Sequence, residues 1–173
     1  DLYKLAELFN AGNLPLTAAL GALALILVGL GFKTSFVPFH FWAPDVYEGA
    51  PTPVSGFLST ASKAAGFAVL VRLFFVAFPD FSVSWTVTLA ILSAITMTLG
   101  NLLTLQQTNI KRLLAYSSIA HAGYTLIGVV ALSQLGATSV VFYLAAYILT
   151  NLLAFGIVMA FSRVTGLENI KDY

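Results

Sequence analysis

The chain has 173 residues, of which 59% are hydrophobic and 9% are charged, and its formal net charge is +1. Soluble domains usually carry about 25% charged residues, so this composition indicates a protein that lies mostly in lipid. The near-zero net charge excludes the basic face that nucleic-acid binding requires, and no nucleic acid is expected as a partner. The sequence contains no cysteine, which excludes a disulfide framework, a thiolate zinc site and an iron–sulfur cluster within it.

The elements are predicted in chain order from apolar periodicity and length. Residues 1–13 place Leu2, Leu5 and Leu8 at helical spacing, which predicts a short helix in the membrane interface. Five apolar stretches follow, each with roughly the 20 residues that a membrane-spanning helix needs. The spans are predicted at 14–37, 54–78, 85–105, 113–132 and 137–161. Residues 134–136 are predicted to form the tight connection before the last span.

The predicted organisation is one all-α membrane domain over residues 1–173. Because the sequence starts at Asp1 rather than at a methionine, we expect a fragment of a longer chain. Lysine and arginine accumulate on the cytoplasmic side of membrane proteins, so basic residues near the span ends predict the orientation. Those on the same side as the loop at 39–53 are Lys111, Arg112, Arg163 and Lys171. We predict that this side is cytoplasmic, or faces the matrix or stroma in an organelle.

Two lysines lie inside predicted spans, where a charge costs about 2.5–3.5 kcal/mol on insertion scales. Lys33 sits between Gly31 and Pro38, which can interrupt the helix, and broken backbone at membrane depth is tolerated against protein or a water-filled cavity. The alternative is that the first span ends near Phe32 and Lys33 snorkels to the headgroups. Lys63 lies deeper, so we predict a functional role for it. A buried lysine suits proton exchange because desolvation disfavours its ammonium form.

Polar residues also recur at helical spacing within the later spans. Small and hydroxyl residues are ordinary packing contacts between membrane helices, which is the alternative to a hydrated path. His121 and Asn151 are more polar than packing between membrane helices requires. An intramembrane histidine can titrate near neutral pH, so His121, with Tyr124 on the same face, is a candidate relay member, or it is simply hydrogen-bonded across the bundle. His40 is a candidate relay exit or a loop contact.

These predicted faces extend over four spans. On the second span the face carries Ser55, Ser59, Ser62 and Gly66, with Lys63 at its margin. The third has Ser93, Thr96, Gly100 and Thr104; the fourth has Ser117, His121, Tyr124 and Gly128; the fifth has Tyr143, Tyr147, Thr150 and Asn151. No metal-ligand spacing, nucleotide loop or nucleophile motif is present, so a self-contained catalytic site is not expected.

Three segments of the sequence match a known signature. They are Gly31–Lys33 with Val37–Trp42, the run PDVYEGAPTP from Pro44 to Pro53 with Ser62–Gly66, and NIKRLLAYSSIAHAGY from Asn109 to Tyr124. Together they resemble the proton-translocating antiporter-like subunits of NADH:quinone oxidoreductase, the respiratory complex I. The wording PDVYEGAPTP is closest to the subunit N (subunit 2) branch of that family.

The resemblance implies a larger helical bundle built from inverted repeats. This chain would hold the last two helices of the first repeat and the first three of the second. It also implies that the first span is discontinuous with the essential lysine, Lys33, at the break. Lys63 then matches the connecting lysine of the central hydrophilic axis, which His121 continues. The family's acidic partner and terminal lysine have no counterpart here, since Asp45 and Glu48 are expected in a loop.

The expected function is therefore proton translocation within a complex that transfers electrons from NADH to quinone. The resemblance implies that NADH, FMN, iron–sulfur clusters and quinone are used by other subunits, so no cofactor or metal is expected in this chain. The expected partners are the other membrane subunits and the lipid bilayer, in the bacterial inner membrane or an organellar energy-transducing membrane. One alternative is a subunit of a multisubunit Na⁺/H⁺ antiporter or membrane-bound hydrogenase of the same fold. Another is a structural scaffold whose lysines only pair or snorkel.

Overall fold

A computed structural model describes residues 4, 7, 16–77 and 82–173, and its regular elements there are helices. The predicted interfacial helix over residues 1–13 lies outside the described residues except at Lys4 and Glu7, which are helical and exposed. Five of the described helices are long and apolar enough to cross a membrane. The predicted all-α membrane architecture is confirmed.

The helices are numbered here in chain order. α1 is Leu16–Thr34, α2 is Trp42–Gly49, α4 is Ser82–Thr104, α5 is Ile110–Val130 and α6 is Gln134–Thr165. α3 comprises Thr52–Phe57, a π-helical turn at Leu58–Ser62, an α-helical stretch at Lys63–Arg72 and a second π-helical turn at Leu73–Ala77. The candidate spans are Thr17–Thr34, Thr52–Val76, Trp85–Thr104, Ile110–Val130 and Gln134–Thr165.

The tight connection predicted at 134–136 is wrong, because these residues form the first turn of α6. The Ser133 side chain accepts a hydrogen bond from the Gly136 backbone N–H at 3.0 Å and so caps the helix. The turn that joins α5 to α6 therefore lies at residues 131–133. The serine N-cap sets the start of α6, and apolar periodicity does not indicate caps.

The first span is interrupted, as the resemblance implied. α1 ends at Thr34, and Ser35 adopts φ 60°, a left-handed conformation that breaks the helix. The Phe36 N–H donates to the Gly31 carbonyl at 3.2 Å, and the Val37 N–H donates to the Thr96 hydroxyl of α4 at 3.1 Å. The interruption is thus held at both ends before the chain resumes as α2.

Helices α4 and α5 pack closely along their length. A Cβ on Gly100 would lie 2.7 Å from the backbone nitrogen of Ala120, and one on Gly123 would lie 2.9 Å from that of Met97. The Ser93 hydroxyl donates to the Gly123 carbonyl at 2.7 Å. These residues on α4 are packing contacts, as the alternative reading of the polar faces proposed.

One end of the bundle carries the short helix α2, the start of α5 and the segment after α6. The Asn109 side chain caps α5 by accepting hydrogen bonds from the backbone N–H groups of Lys111 and Arg112. Asn109 also pairs with Asn169 in an isolated antiparallel β-bridge. The Lys111 ammonium contacts the Glu168 carboxylate at 2.9 Å. This end is the one predicted to be cytoplasmic.

Candidate functional site

Lys63 is buried near the middle of the second candidate span, Thr52–Val76. Its side chain leaves only 2% of the residue exposed, and its Nζ donates to the backbone carbonyl of Ser118 on α5 at 2.8 Å. Within the described residues it forms no ion pair with a carboxylate. A buried ammonium with one neutral acceptor recovers far less of its desolvation cost than an ammonium in a salt bridge.

The π-helical turn at Leu58–Ser62 explains how Lys63 comes to face the bundle. A π turn holds one more residue than an α turn, so every later side chain is rotated relative to α-helical spacing. The periodic prediction put Ser62 on the inner face and Lys63 at its margin. In the structure Lys63 is buried and Ser62 is only half-buried, which corrects that assignment. Ser55, Ser59 and Gly66 are buried as predicted.

His121 on α5 is surrounded by tyrosines. Its Nδ1 lies 2.6 Å from the Tyr143 hydroxyl of α6. Its ring centroid lies 5.0 Å from that of Tyr147 and 5.6 Å from that of Tyr124. The Tyr124 hydroxyl in turn accepts a hydrogen bond from Asn101 at 2.7 Å. The ring of His121 is therefore held by a direct hydrogen bond and by aromatic contacts, with α5 and α6 both contributing.

A small cavity joins the lysine to the histidine. Its volume open to the centre of a water molecule is about 10 Å³, close to the smallest space that holds one water. Its polar lining comprises Lys63, Ser118, His121, Thr125 and Tyr147. Lys63 and His121 are close enough for their charges to interact. The structure thus brings together two of the three residues predicted to carry protons.

Three neighbouring hydroxyls around Ser118 are buried without a hydrogen-bond partner in the described part of the chain. They belong to Tyr47 of α2, Ser118 of α5 and Tyr147 of α6. The Ser118 hydroxyl faces both tyrosine hydroxyls, but none of the three completes a bond of good geometry. An unpaired buried hydroxyl costs about 1–3 kcal/mol. Burial raises the pKa of the Tyr47 phenol far above its usual range, with Ser118 opposing the shift, so Tyr47 stays neutral.

Lys33 occupies a different environment from Lys63. It lies in the last turn of α1, next to the break, and its side chain is exposed on the described part of the chain. Its aliphatic stem packs on α3, because a Cβ on Gly66 would lie 3.2 Å from the Lys33 Cγ. Gly66 is three residues beyond Lys63, about 4.5 Å along the helix. The Lys33 stem therefore lies against α3 about one turn beyond Lys63, and of the two lysines only Lys63 is buried.

The predicted supporting residues lie in separate places. His40 follows the break, is 5% exposed and has no partner for Nδ1 among the described residues. Its burial lowers the pKa of the imidazole, and a hydrogen bond with the Pro38 backbone opposes the shift. Asn151 is buried on α6 and donates to the Tyr147 carbonyl at 3.2 Å, beside the site but without contacting His121.

Sequence reasoning missed two residues, Ser118 and Tyr47, and misjudged two others, Asp45 and Glu48. Ser118 was overlooked in favour of its neighbour Ser117, and Tyr47 was overlooked because its segment was expected to be a loop. Asp45 and Glu48 lie in the helix α2 rather than in a loop, and the same Arg112 nitrogen contacts their carboxylates at 2.6 and 2.8 Å.

Among the described residues, no group of three or more histidine or acidic side chains could hold a metal ion. The site therefore consists of proton-exchanging and hydrogen-bonding groups: an amine, an imidazole and phenols. Such groups can pass a proton without an electron carrier.

Residues 2–173 match the family described as NADH:quinone oxidoreductase/Mrp antiporter, TM. The chain belongs to this family. Subunit N of NADH-quinone oxidoreductase from Moorella thermoacetica is 56% identical over 148 residues, covering 86% of this chain and 31% of that protein. A chain of respiratory complex I from Thermus thermophilus is 48% identical with a TM-score of 0.68, covering 80% of this chain and 30% of that one.

The same fold occurs in another type of respiratory complex. A chain of the archaeal membrane-bound sulfane sulfur reductase is 29% identical with a TM-score of 0.78, covering 87% of this chain and 31% of that one. This family member is thus a multi-pass membrane segment that spans about a third of the length of its relatives.

Proposed function

We propose that this chain forms part of a proton-translocating membrane subunit of NADH:quinone oxidoreductase. The proton path runs through Lys63 and His121, with Lys33 at the break of α1. The observation that carries the proposal is the buried Lys63 ammonium, whose one hydrogen-bond acceptor among the described residues is the Ser118 carbonyl. A cavity of about one water adjoins both Lys63 and His121. Relatives at 48–56% identity that are named as subunits of this complex support it.

The arrangement suits proton transfer because Lys63 can lose its proton without leaving a carboxylate unpaired. A salt-bridged lysine would lose an ion pair on deprotonation, and breaking a buried pair costs about 3–5 kcal/mol. Lys63 would lose only one hydrogen bond to a carbonyl. Its proton is therefore exchangeable with nearby groups, and a charge on His121 changes the cost of keeping it.

Lys33 is the third proposed proton-carrying residue, and Tyr124, Asn151 and His40 have supporting roles. We assign Lys33 the proton site at the break of α1, where its stem contacts α3 one turn from Lys63. Tyr124 links His121 to α4 through its hydrogen bond with Asn101. Asn151 fixes the backbone of α6 at Tyr147. His40, near the predicted cytoplasmic end, is a candidate connection between the break and the aqueous phase.

The electron-transfer reaction takes place in other subunits of the proposed complex. This chain is proposed to bind no NADH, FMN, iron–sulfur cluster or quinone, and its partners are neighbouring membrane subunits and lipid. The proposed location is the bacterial cell inner membrane or an organellar energy-transducing membrane, and the five apolar helices support a membrane location. The predicted cytoplasmic end carries the paired charges of Lys111 and Arg112.

The test compares Lys63→Met with wild type in the assembled complex. Methionine keeps most of the side-chain volume and removes the ammonium. We expect quinone-linked NADH oxidation and proton pumping to fall at least about tenfold, a conservative figure for loss of one positioned proton-transfer group. NADH oxidation by an artificial acceptor that bypasses the membrane arm should not change.

The matched control is Lys171→Met, which removes an exposed lysine from the segment after α6. It should pump like wild type. If Lys63→Met also pumps normally in a fully assembled complex, Lys63 is structural and the scaffold alternative is correct.

A second candidate function is that of a subunit in a cation/proton antiporter or membrane-bound hydrogenase. The 29% identity and TM-score of 0.78 with the sulfane sulfur reductase chain show that this fold is used with different redox partners. Pumping that depends on sodium concentration would favour the antiporter. Pumping that is driven by NADH and independent of sodium would favour the leading proposal.

A further inference from the structure

Tyr147 lies beside the two proton-carrying side chains. It lines the same cavity as Lys63 and His121, and its ring centroid lies 5.0 Å from that of His121. Its hydroxyl is buried and has no hydrogen-bond partner in the described part of the chain. The backbone carbonyl of Ser118 binds the Lys63 ammonium, and the side-chain hydroxyl of Ser118 faces the Tyr147 hydroxyl.

The hydroxyl is not required for packing. Phenylalanine would fill the same volume and would leave no buried O–H unpaired. The phenol ring contacts His121 on one side, while its hydroxyl group reaches towards Ser118. A buried hydroxyl beside a cavity that Lys63 and His121 also line has a use that phenylalanine lacks, because it can accept one proton while it releases another.

We propose that Tyr147 carries the proton between Lys63 and His121, which rests on the proposed function above. In this step an N–H bond of the Lys63 ammonium breaks and a new O–H bond forms at Tyr147. The original Tyr147 O–H bond breaks, and its proton bonds to the His121 ring. Lys63 becomes neutral, the imidazole becomes cationic, and the phenol is neutral before and after.

Tyr143 determines which nitrogen receives the proton. Its hydroxyl lies 2.6 Å from Nδ1 of His121, so that nitrogen is already engaged. Nε2 is therefore the nitrogen that takes up the transferred proton, provided that Nδ1 carries the hydrogen of the neutral ring. Tyr143 is thus a positioning residue for His121, whereas Tyr147 takes part in the transfer itself.

The cavity supplies the space for this exchange. Its volume of about 10 Å³ is near the lower limit for one water, which could complete the contact between the Lys63 ammonium and the Tyr147 hydroxyl. A single water without the phenol would have to make every contact to Lys63 and His121 by itself. Removing the hydroxyl should therefore slow proton transfer without abolishing it.

The experiment measures quinone-linked turnover and proton pumping of the assembled complex carrying Tyr147→Phe, in H₂O and in D₂O. We expect turnover to fall about tenfold, less than the 10²–10⁴ of a fully lost proton-transfer group because water replaces part of the path. The solvent isotope effect should increase, since proton transfer becomes rate-limiting. The matched control is Tyr116→Phe, which removes a half-buried hydroxyl from α5 outside the cavity.

The outcomes separate this inference from the proposed function. If Tyr147→Phe matches wild type in turnover and isotope effect while Lys63→Met loses pumping, the role of Tyr147 is refuted and the proposed function stands. If Lys63→Met also pumps normally, the proposed function fails. Should Tyr147→Phe not assemble, Ser118→Ala removes the hydroxyl facing Tyr147 and keeps the carbonyl that binds Lys63. The Ser118 hydroxyl faces the Tyr147 hydroxyl and so orients it for the transfer, and an unchanged isotope effect in Ser118→Ala would then overturn the inference.

Discussion

The close approach of α4 and α5 makes Gly100→Ala a sharp test of the bundle that supports the site. A Cβ on Gly100 would lie 2.7 Å from the backbone nitrogen of Ala120, 2.9 Å from its Cα and 3.0 Å from its Cβ. These atoms belong to a rigid helix and cannot rotate away. Ordinary contact begins near 3.4 Å, so the two helices must separate by about 0.7 Å at this level.

The magnitude follows from two opposing effects. Overpacking of a tight interface costs about 1–3 kcal/mol, and alanine in a helix recovers about 1 kcal/mol relative to glycine. We expect a net loss of about 1 kcal/mol. Because Ala120 lies between Ser118 and His121 in the sequence, the displacement also reaches the site, and pumping should fall with stability.

The assay is the half-life of quinone-linked activity in the solubilised complex during heating. Gly156→Ala is the matched control, because a Cβ on that α6 glycine meets nothing within 4 Å in the described residues. The control should be as stable as wild type or slightly more stable. Equal half-lives for Gly100→Ala and Gly156→Ala would refute the close α4–α5 contact.

Three further predictions concern the predicted cytoplasmic end. Arg112→Gln should destabilise the complex by less than about 1 kcal/mol, because the carboxylates of Asp45 and Glu48 are exposed. Adding 1 M salt should shorten the heat half-life of wild type to that of the variant. A loss of stability that does not depend on salt would contradict this prediction. Burial lowers the pKa of His40 below its usual 6.5, so the unfolded chain binds a proton at a pH where the folded chain does not. Stability should therefore fall as pH drops from about 7 to 5. His40→Gln should flatten that heat-inactivation profile, and an unchanged profile would exclude His40 as its cause. Asn109→Ala should cost about 0.5–2 kcal/mol in the same heating assay by removing the α5 cap, whereas Asn109→Asp should retain most of the stability; equal losses in the two variants would argue against the cap.

The membrane spans could be predicted because their cause is local. A run of about 20 apolar residues must cross the bilayer or be covered by protein, whatever surrounds it. The ends were less predictable because caps set them. Ser133 starts α6 earlier than its apolar pattern indicates, and Ser35 ends α1 before the predicted span is complete.

The site was only partly predictable. The sequence indicates how deep a residue lies within its span, but it does not indicate which way the side chain faces. Lys63 could be recognised from its distance to both ends of its span. Its position on the inner face depends on the π-helical turn at Leu58–Ser62, which no 3.6-residue periodicity indicates. Ser118 is 55 residues away from Lys63, and Tyr47 reaches the site from a segment outside the spans. Only the packing of α2, α3 and α5 brings them together.

The distribution of carboxylates gives the strongest physical contrast in the described part of the chain. At the predicted cytoplasmic end, Lys111 contacts Glu168 and Arg112 contacts two acidic residues of α2, so these cations hold helix ends in place. At mid-membrane, Lys63 meets carbonyl and hydroxyl oxygens and no carboxylate among the described residues. A carboxylate beside Lys63 would stabilise its charge and hold its proton. Neutral partners leave that proton exchangeable, which is the condition that a relay through Tyr147 and His121 requires.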